Sequence, residues 1–247
     1  MTPVTTAPAP AYRVLQRAIL AAALLGAPLV MASWFALCPE YGNPGCPDTS
    51  NPLGNLVAYR AAGPILLQAF LWLNVLVPYL FPLGYLALGL PAMRGAPWLA
   101  TLGIISGWVG SAPWGLVTDR SFLLSTLATM GNDPFSVALL TRLNQHPAFL
   151  VMATGWFFGH MLGYILLGLA LARARAVPRW AGSLIVVAAP VMGPIAYGTG
   201  IGLIQVLGFV LVFIGSVPAA LAVLRGSAEQ VPISREPARE AVLGAGG

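Results

Sequence analysis

Five stretches of this chain contain no Asp, Glu, Lys or Arg: Ala18–Leu37, Ala61–Met93, Gly95–Thr118, Pro147–Ala172 and Trp180–Leu224. A helix crossing a hydrocarbon core of ~30 Å needs about 20 apolar residues, and a helix satisfies its own backbone polar groups there. The last stretch is 45 residues long. As one helix at ~1.5 Å per residue it would span ~67 Å, so it must fold back on itself. Gly198, Thr199 and Gly200 supply the turn. The sequence therefore predicts an all-α polytopic transmembrane bundle with six spans, at about 14–37, 63–90, 96–117, 148–173, 180–197 and 202–224. Charged residues make up 8% of the chain, against ~25% in a soluble domain.

Every one of the 12 basic residues is arginine, and the arginines are sorted by span end. Arg13 and Arg17 precede the first span, which places the N-terminus in the cytosol by the positive-inside rule. Six crossings then put Arg94, Arg173, Arg175, Arg179, Arg225, Arg235 and Arg239 on the same side, with only Arg60, Arg120 and Arg142 outside. Both termini are expected inside, in a multi-pass protein of the cytoplasmic membrane. The net charge of +5 does not imply nucleic acid, because no polar segment combines clustered arginines with interleaved aromatics. The first block could be read as a cleaved signal peptide. However, its 20 uncharged residues exceed the usual apolar core of ~7–15, and Leu37 rather than a small residue precedes Cys38, so a retained helix is expected.

The domain organisation predicted is a disordered tail over 1–12, a transmembrane domain over 13–225 and a disordered cytoplasmic tail over 226–247. Cys38 and Cys46 lie in a Gly/Pro-rich outer loop, where an oxidising compartment favours a disulfide. Their spacing matches no standard redox or zinc motif. The outer segment 119–146 reads as two short amphipathic helices lying on the membrane surface. Thr118 or Asp119 caps the first and Gly131 stops it; Asp133 caps the second, with Pro134 at its first position. Phe135, Leu139, Leu140 and Leu143 share one face of the second helix. Trp34, Trp98, Trp114 and Trp180 fall at interfacial belt positions.

Two further patterns concern packing. Gly103, Gly107, Ser111 and Gly115 recur every four residues in the third span, and Gly155, Gly159 and Gly163 do the same in the fourth. Such rows let helix backbones approach closely in lipid. Gly84-Tyr85-Leu86-Ala87-Leu88-Gly89-Leu90 also echoes Gly163-Tyr164-Ile165-Leu166-Leu167-Gly168-Leu169, each followed by arginine, proline and tryptophan. The echo suggests a parallel repeat of helical hairpins.

His160 is the one strongly ionisable side chain expected at mid-depth, and such groups are functional candidates. The competing reading is a neutral histidine bonded to a neighbouring helix. His146 stands 14 residues away, or ~21 Å along one helix, so the two cannot share an iron. The candidate ligand-binding residues around His160 are Trp156, Trp108, Trp72, Asn74, Gln68, Arg60, Asp119 and Arg120. They would form an aromatic-walled cavity opening outward with a charged rim, which Glu40 and Asp48 would join. Ser106 should lie at the depth of His160, where a Ser–His pair could make a nucleophile. Gly159-His160-Met161-Leu162-Gly163 is similar to the histidine helix of rhomboid intramembrane proteases. Ser106-Gly107, however, matches only the end of their Gly-x-Ser-Gly, Gly103 is displaced by one residue, and the helix order differs. No phosphate-binding glycine loop, aspartate-rich motif or pair of intramembrane carboxylates is present. No cofactor and no metal is expected.

The chain as a whole resembles a broad group of uncharacterised bacterial six-helix integral membrane proteins, rich in arginine and poor in lysine. The likeness is greatest at His146-Pro147, from Gly159-His160 to Arg173, and at Val177-Pro178-Arg179-Trp180-Ala181. The resemblance implies six helices and carries no activity or catalytic residue with it. Three functions stay open at this point. One is a non-catalytic binding, accessory or assembly component, whose partner is the bilayer and another membrane protein. Another is an enzyme or binder for a lipidic or isoprenoid molecule around His160. The third is a small transporter.

Overall fold

Prolines start the helices of this chain and glycines end several of them. The computed structural model describes residues 10–40, 50–131 and 133–226. The helices are α1 (Ala11–Leu37), α2 (Pro52–Ala61), α3 (Pro64–Gly89), α4 (Pro97–Ser111), α5 (Trp114–Met130), α6 (Pro134–Gln145), α7 (Pro147–Ala174), α8 (Arg179–Pro190), α9 (Ala196–Thr199) and α10 (Gly202–Leu224). A 3-10 turn, Leu90–Ala92, extends α3, and a π-helical turn, Val191–Ile195, joins α8 to α9. Proline stands in the opening turn of α2, α3, α4, α6 and α7, where its missing N–H is one of the unpaired donors in any case. Gly131 ends α5 at φ 105°, and Gly200 closes the turn before α10 at φ 67°, both conformations that L side chains resist. All regular structure among the described residues is helical.

Five helical segments are long and apolar enough to cross a membrane: Ala11–Leu37, Pro64–Ala92, Pro147–Ala174, Arg179–Thr199 and Gly202–Leu224. They make the chain a multi-pass membrane protein in type. Its outer surface agrees: Ile65, Trp72, Trp98, Val109, Val151, Phe158 and Leu203 all face outward uncovered. Soluble monomers rarely expose contiguous apolar patches above a few hundred Å².

The expected third span, 96–117, differs from the structure. Its helix, α4, has 15 residues, or ~22 Å. It stops at Ala112–Pro113 because Pro113 has no N–H to continue the ladder. The chain then re-enters helix at Trp114, so α5 is longer than the short helix expected. Thr118 and Asp119 lie inside α5 and do not cap it. Asp133 caps α6 as the sequence implied, accepting from the backbone N–H of Phe135 at 2.7 Å and of Ser136 at 3.1 Å. The expected tails over 1–12 and 226–247 lie mostly outside the described residues; Ala11 and Tyr12 are already helical.

Six helices form a closed ring. Each packs on the next in the order α1, α3, α4, α7, α8, α10 and back to α1. Neighbours run antiparallel: Gly103 meets Leu167 while Gly110 meets Gly159. The helices α2, α5 and α6 gather at one end of this ring, and the arginines Arg17, Arg94 and Arg173 mark the other.

Proline shapes the ring from within. Pro78 cannot donate to the carbonyl of Asn74, four residues earlier, so Thr118 of α5 reaches that carbonyl with its hydroxyl at 3.3 Å. Pro190 and Pro194 interrupt the ladder of α8, and the backbone between them widens into the π turn. That turn brings Met192 and Gly193 to the ring interior.

Candidate functional site

The glycine rows of α4 and α7 pack on each other, and this contact sets the orientation of His160. A Cβ on Gly159 would stand 2.7 Å from the Cα of Gly110, and one on Gly163 would stand 2.8 Å from the Cα of Gly107. The backbones touch, and Gly110 lies directly against the backbone N of His160. Gly110, not Ser111 or Gly115, continues the row in α4, and Gly115 faces open space. With one side of α7 closed by α4, the imidazole projects toward α3 and α10 at the ring centre.

There His160 is buried among aromatic rings. Trp156 stacks on it at 4.4 Å between centroids, Tyr164 lies edge-on at 4.8 Å, and Phe81 and Phe209 stand at 5.0 and 5.7 Å. Its Nδ1 is hydrogen-bonded to the Tyr85 hydroxyl. Its Nε2 is buried with no protein hydrogen-bond partner. A phenol is a strong donor and a weak acceptor, whereas an unprotonated imidazole nitrogen is a strong acceptor. The same hydroxyl also meets Tyr164, so Tyr85 bridges the two rings, and the direction of that bridge sets which imidazole nitrogen carries the proton.

The aromatic rings continue toward the α2/α6 end. Trp156 meets Trp114 at 4.4 Å, and Trp114 meets Trp34 at 5.1 Å. Beside this series lies a cleft of about 330 Å³ between α1, α5, α7 and α9, with Phe149, Phe157, Phe158 and Tyr197 completing its walls. A pit of about 20 Å³ adjoins it, sharing Phe35, Trp156, Phe157 and Tyr197 as a common wall and reaching His160, Met161 and Met192. Among the described residues, no charged one lines either space.

Of the residues selected from the sequence, the structure brings only Trp156 to His160. Trp72 and Gln68 are on the outer face of α3. Trp108 is half exposed and donates its Nε1–H to the Pro82 carbonyl at 2.8 Å. Asn74 is buried but turns its amide to the Phe70 carbonyl, 3.0 Å away. Arg60 ties α2 to α5 through the Ala128 carbonyl at 3.0 Å, and Asp119 is exposed. Ser106 does lie beside His160 in sequence register, yet its hydroxyl donates to the Gly159 carbonyl at 3.0 Å. With that hydroxyl committed and Nδ1 held by Tyr85, the two form no nucleophilic pair.

Arg120 departs most from expectation. It is not a solvated rim charge but a buried ion pair with Glu40 at 3.1 Å, and its Nε donates to Asn144 Oδ1 at 3.2 Å. The cluster joins the end of α1 to α5 and α6. Tyr59 of α2 sits against it, and its phenol is pushed up mainly by burial and then by the Glu40 charge. Cys38 is buried at the end of α1; Cys46 and Asp48 lie outside the described residues.

The sequence reading missed Tyr85, Tyr164, Trp34 and Trp114. The last two were placed in the interfacial belt; both are about 1% exposed and wall the cleft, whereas Trp98 and Trp180 face outward. The tyrosines carried a signal. They occupy the same place in the Gly-Tyr echo, and both arrive beside His160 with their rings 5.3 Å apart.

No family model matches the chain, and neither a curated protein nor a solved structure matches it.

Proposed function

We propose that this protein is a non-catalytic binding component of the cytoplasmic membrane, and that it holds a lipidic molecule in the aromatic cleft above His160. The observation that carries this reading is the cleft itself: about 330 Å³, walled by eight aromatic side chains, with no charged residue among the described residues that line it. Ligand sites are concave and mostly apolar, with few polar groups. A constriction favours holding over passage: beside Tyr85 and Tyr164 the interior narrows to about 10 Å³, between the cleft and a separate space of about 450 Å³ beside Arg17. No catalytic step is assigned, since the hydroxyl nearest His160 in the sequence register is bonded to a backbone carbonyl.

The topology proposed is six crossings with both termini in the cytosol. The sixth is α4 continued through Ala112–Pro113 into the first turns of α5. The positive-inside distribution of arginines supports it. In this frame α6 lies on the outer surface, its Ser136, Leu140 and Asn144 turned to the protein and its Phe135 and Leu139 left for the interface. A Cys38–Cys46 disulfide closing the outer loop belongs to the same reading.

A photoactivatable isoprenoid alcohol tests the function in lipid nanodiscs. Peptide mapping should find the label on segments 149–158 and 197–201 and on Trp34 or Trp114. Label spread evenly over outward residues such as Trp72 and Leu102 would show ordinary lipid contact and defeat the reading.

A further inference from the structure

The walls of the cleft and the pit carry hydrogen-bond donors that the protein leaves unpaired. Trp34 Nε1, Trp114 Nε1 and His160 Nε2 are all buried and have no protein partner. The indole N–H can only donate. The imidazole Nε2 donates in the tautomer whose Nδ1 accepts from Tyr85. A buried donor without an acceptor is costly, and native proteins pair the large majority of such groups. These three lie along one series of contacting rings. The same aromatic series sets their positions: Trp34 on Trp114, Trp114 on Trp156, and Trp156 on His160.

The geometry points to a ligand whose polar end is an uncharged hydrogen-bond acceptor, an oxygen of the ketone or quinone type, attached to an apolar body. This assignment rests on the cleft being a lipid site and specifies what that site selects. An anionic head group is disfavoured because no Arg among the described residues lines either space. A cationic head group is disfavoured because no carboxylate among the described residues lines them either. A carbonyl oxygen has two lone pairs and can accept from two of the three donors. The aliphatic or isoprenoid remainder then lies along Phe149, Phe157 and Phe158. Each of these nitrogens is buried beneath the cavity surface, so binding requires the rings to turn toward the oxygen.

The test compares three probes with the full chain in nanodiscs: farnesyl methyl ketone, the hydrocarbon of equal length, and farnesylamine. Affinity is measured by native mass spectrometry. The ketone is also ¹³C-labelled at the carbonyl for infrared difference spectroscopy. The ketone should bind about tenfold more tightly than the hydrocarbon, as expected for one or two hydrogen bonds supplied to unpaired donors. The amine should bind no better than the hydrocarbon. The bound carbonyl stretch should move to lower frequency than in protein-free nanodiscs. Trp114→Phe and His160→Phe should bring ketone affinity toward that of the hydrocarbon and reverse part of the infrared shift. Equal binding of ketone and hydrocarbon with an unshifted carbonyl overturns the head-group assignment and leaves the lipid site standing. Failure of all three probes to bind overturns both. If the variants do not fold, the wild-type infrared shift alone decides.

Discussion

Two buried polar regions of this protein, less than one helix apart, are built on opposite rules. At the α2/α6 end, Glu40 and Arg120 are paired at 3.1 Å and Asn144 takes a further Arg120 donor. Around His160 no charged side chain stands among the described residues, and Trp34 Nε1, Trp114 Nε1 and His160 Nε2 end without a protein partner. A saturated cluster joins helices. An unsaturated one, walled by rings that could have been leucine or phenylalanine, holds capacity in reserve. Burial alone therefore does not mark the functional residue in a membrane protein; the state of its hydrogen bonds does.

The contrast can be broken first at the ion pair. Arg120→Met leaves Glu40 buried and uncompensated, and should lower stability by ~3–5 kcal/mol, read as a fall in the unfolding midpoint in detergent. Loss of binding without loss of stability would place Arg120 in the site instead. Next comes the frame of His160. Gly163→Ala drives a Cβ against the Gly107 backbone, and should cost ~1–3 kcal/mol. Gly115→Ala, which meets nothing within 4 Å, should be neutral or gain ~0.4–1 kcal/mol. The double change Tyr85→Phe with His160→Phe removes both members of a hydrogen bond while keeping an aromatic ring at each position. The added bulk at His160 should cost about 1–3 kcal/mol, less than Arg120→Met.

The smallest effect lies at the cap of α6. The Ser136 hydroxyl, followed by the backbone N–H groups, holds the Asp133 carboxyl below its usual value of 3.8. A depressed carboxylate contributes stability above the unfolded-state value and loses it as pH falls through the folded one. Protection of the α6 amides should thus weaken only below about pH 4, and Asp133→Asn should flatten that dependence in hydrogen exchange.

Much of the fold was legible because lipid imposes it. Uncharged blocks gave five of the helical spans with ends within a few residues, and the glycine rows met at Gly107 and Gly163, with Gly110 standing where Ser111 was expected. The third span is two helices rather than the single helix expected, because α4 and α5 form one apolar sequence. Only Pro113, whose effect depends on whether its neighbours can absorb a break, divides them. The site was less legible. Depth along a helix is readable from sequence, but facing is not when every face is apolar. Trp72, Trp108 and Trp156 share a depth, and one of them meets His160. Trp34 and Trp114 looked like belt residues because a buried indole and an interfacial one have the same neighbours in sequence. Tyr85 and Tyr164 were visible only as halves of a repeat.

Filling the cleft tests the central claim most directly. Ala153 lines the open side of the cavity, and Ala153→Trp would place an indole inside it without touching the Glu40–Arg120 cluster or the α4–α7 contact. Binding of farnesyl methyl ketone should be abolished in this variant while its unfolding midpoint stays at the wild-type value. Undiminished binding to a folded Ala153→Trp protein would contradict the account.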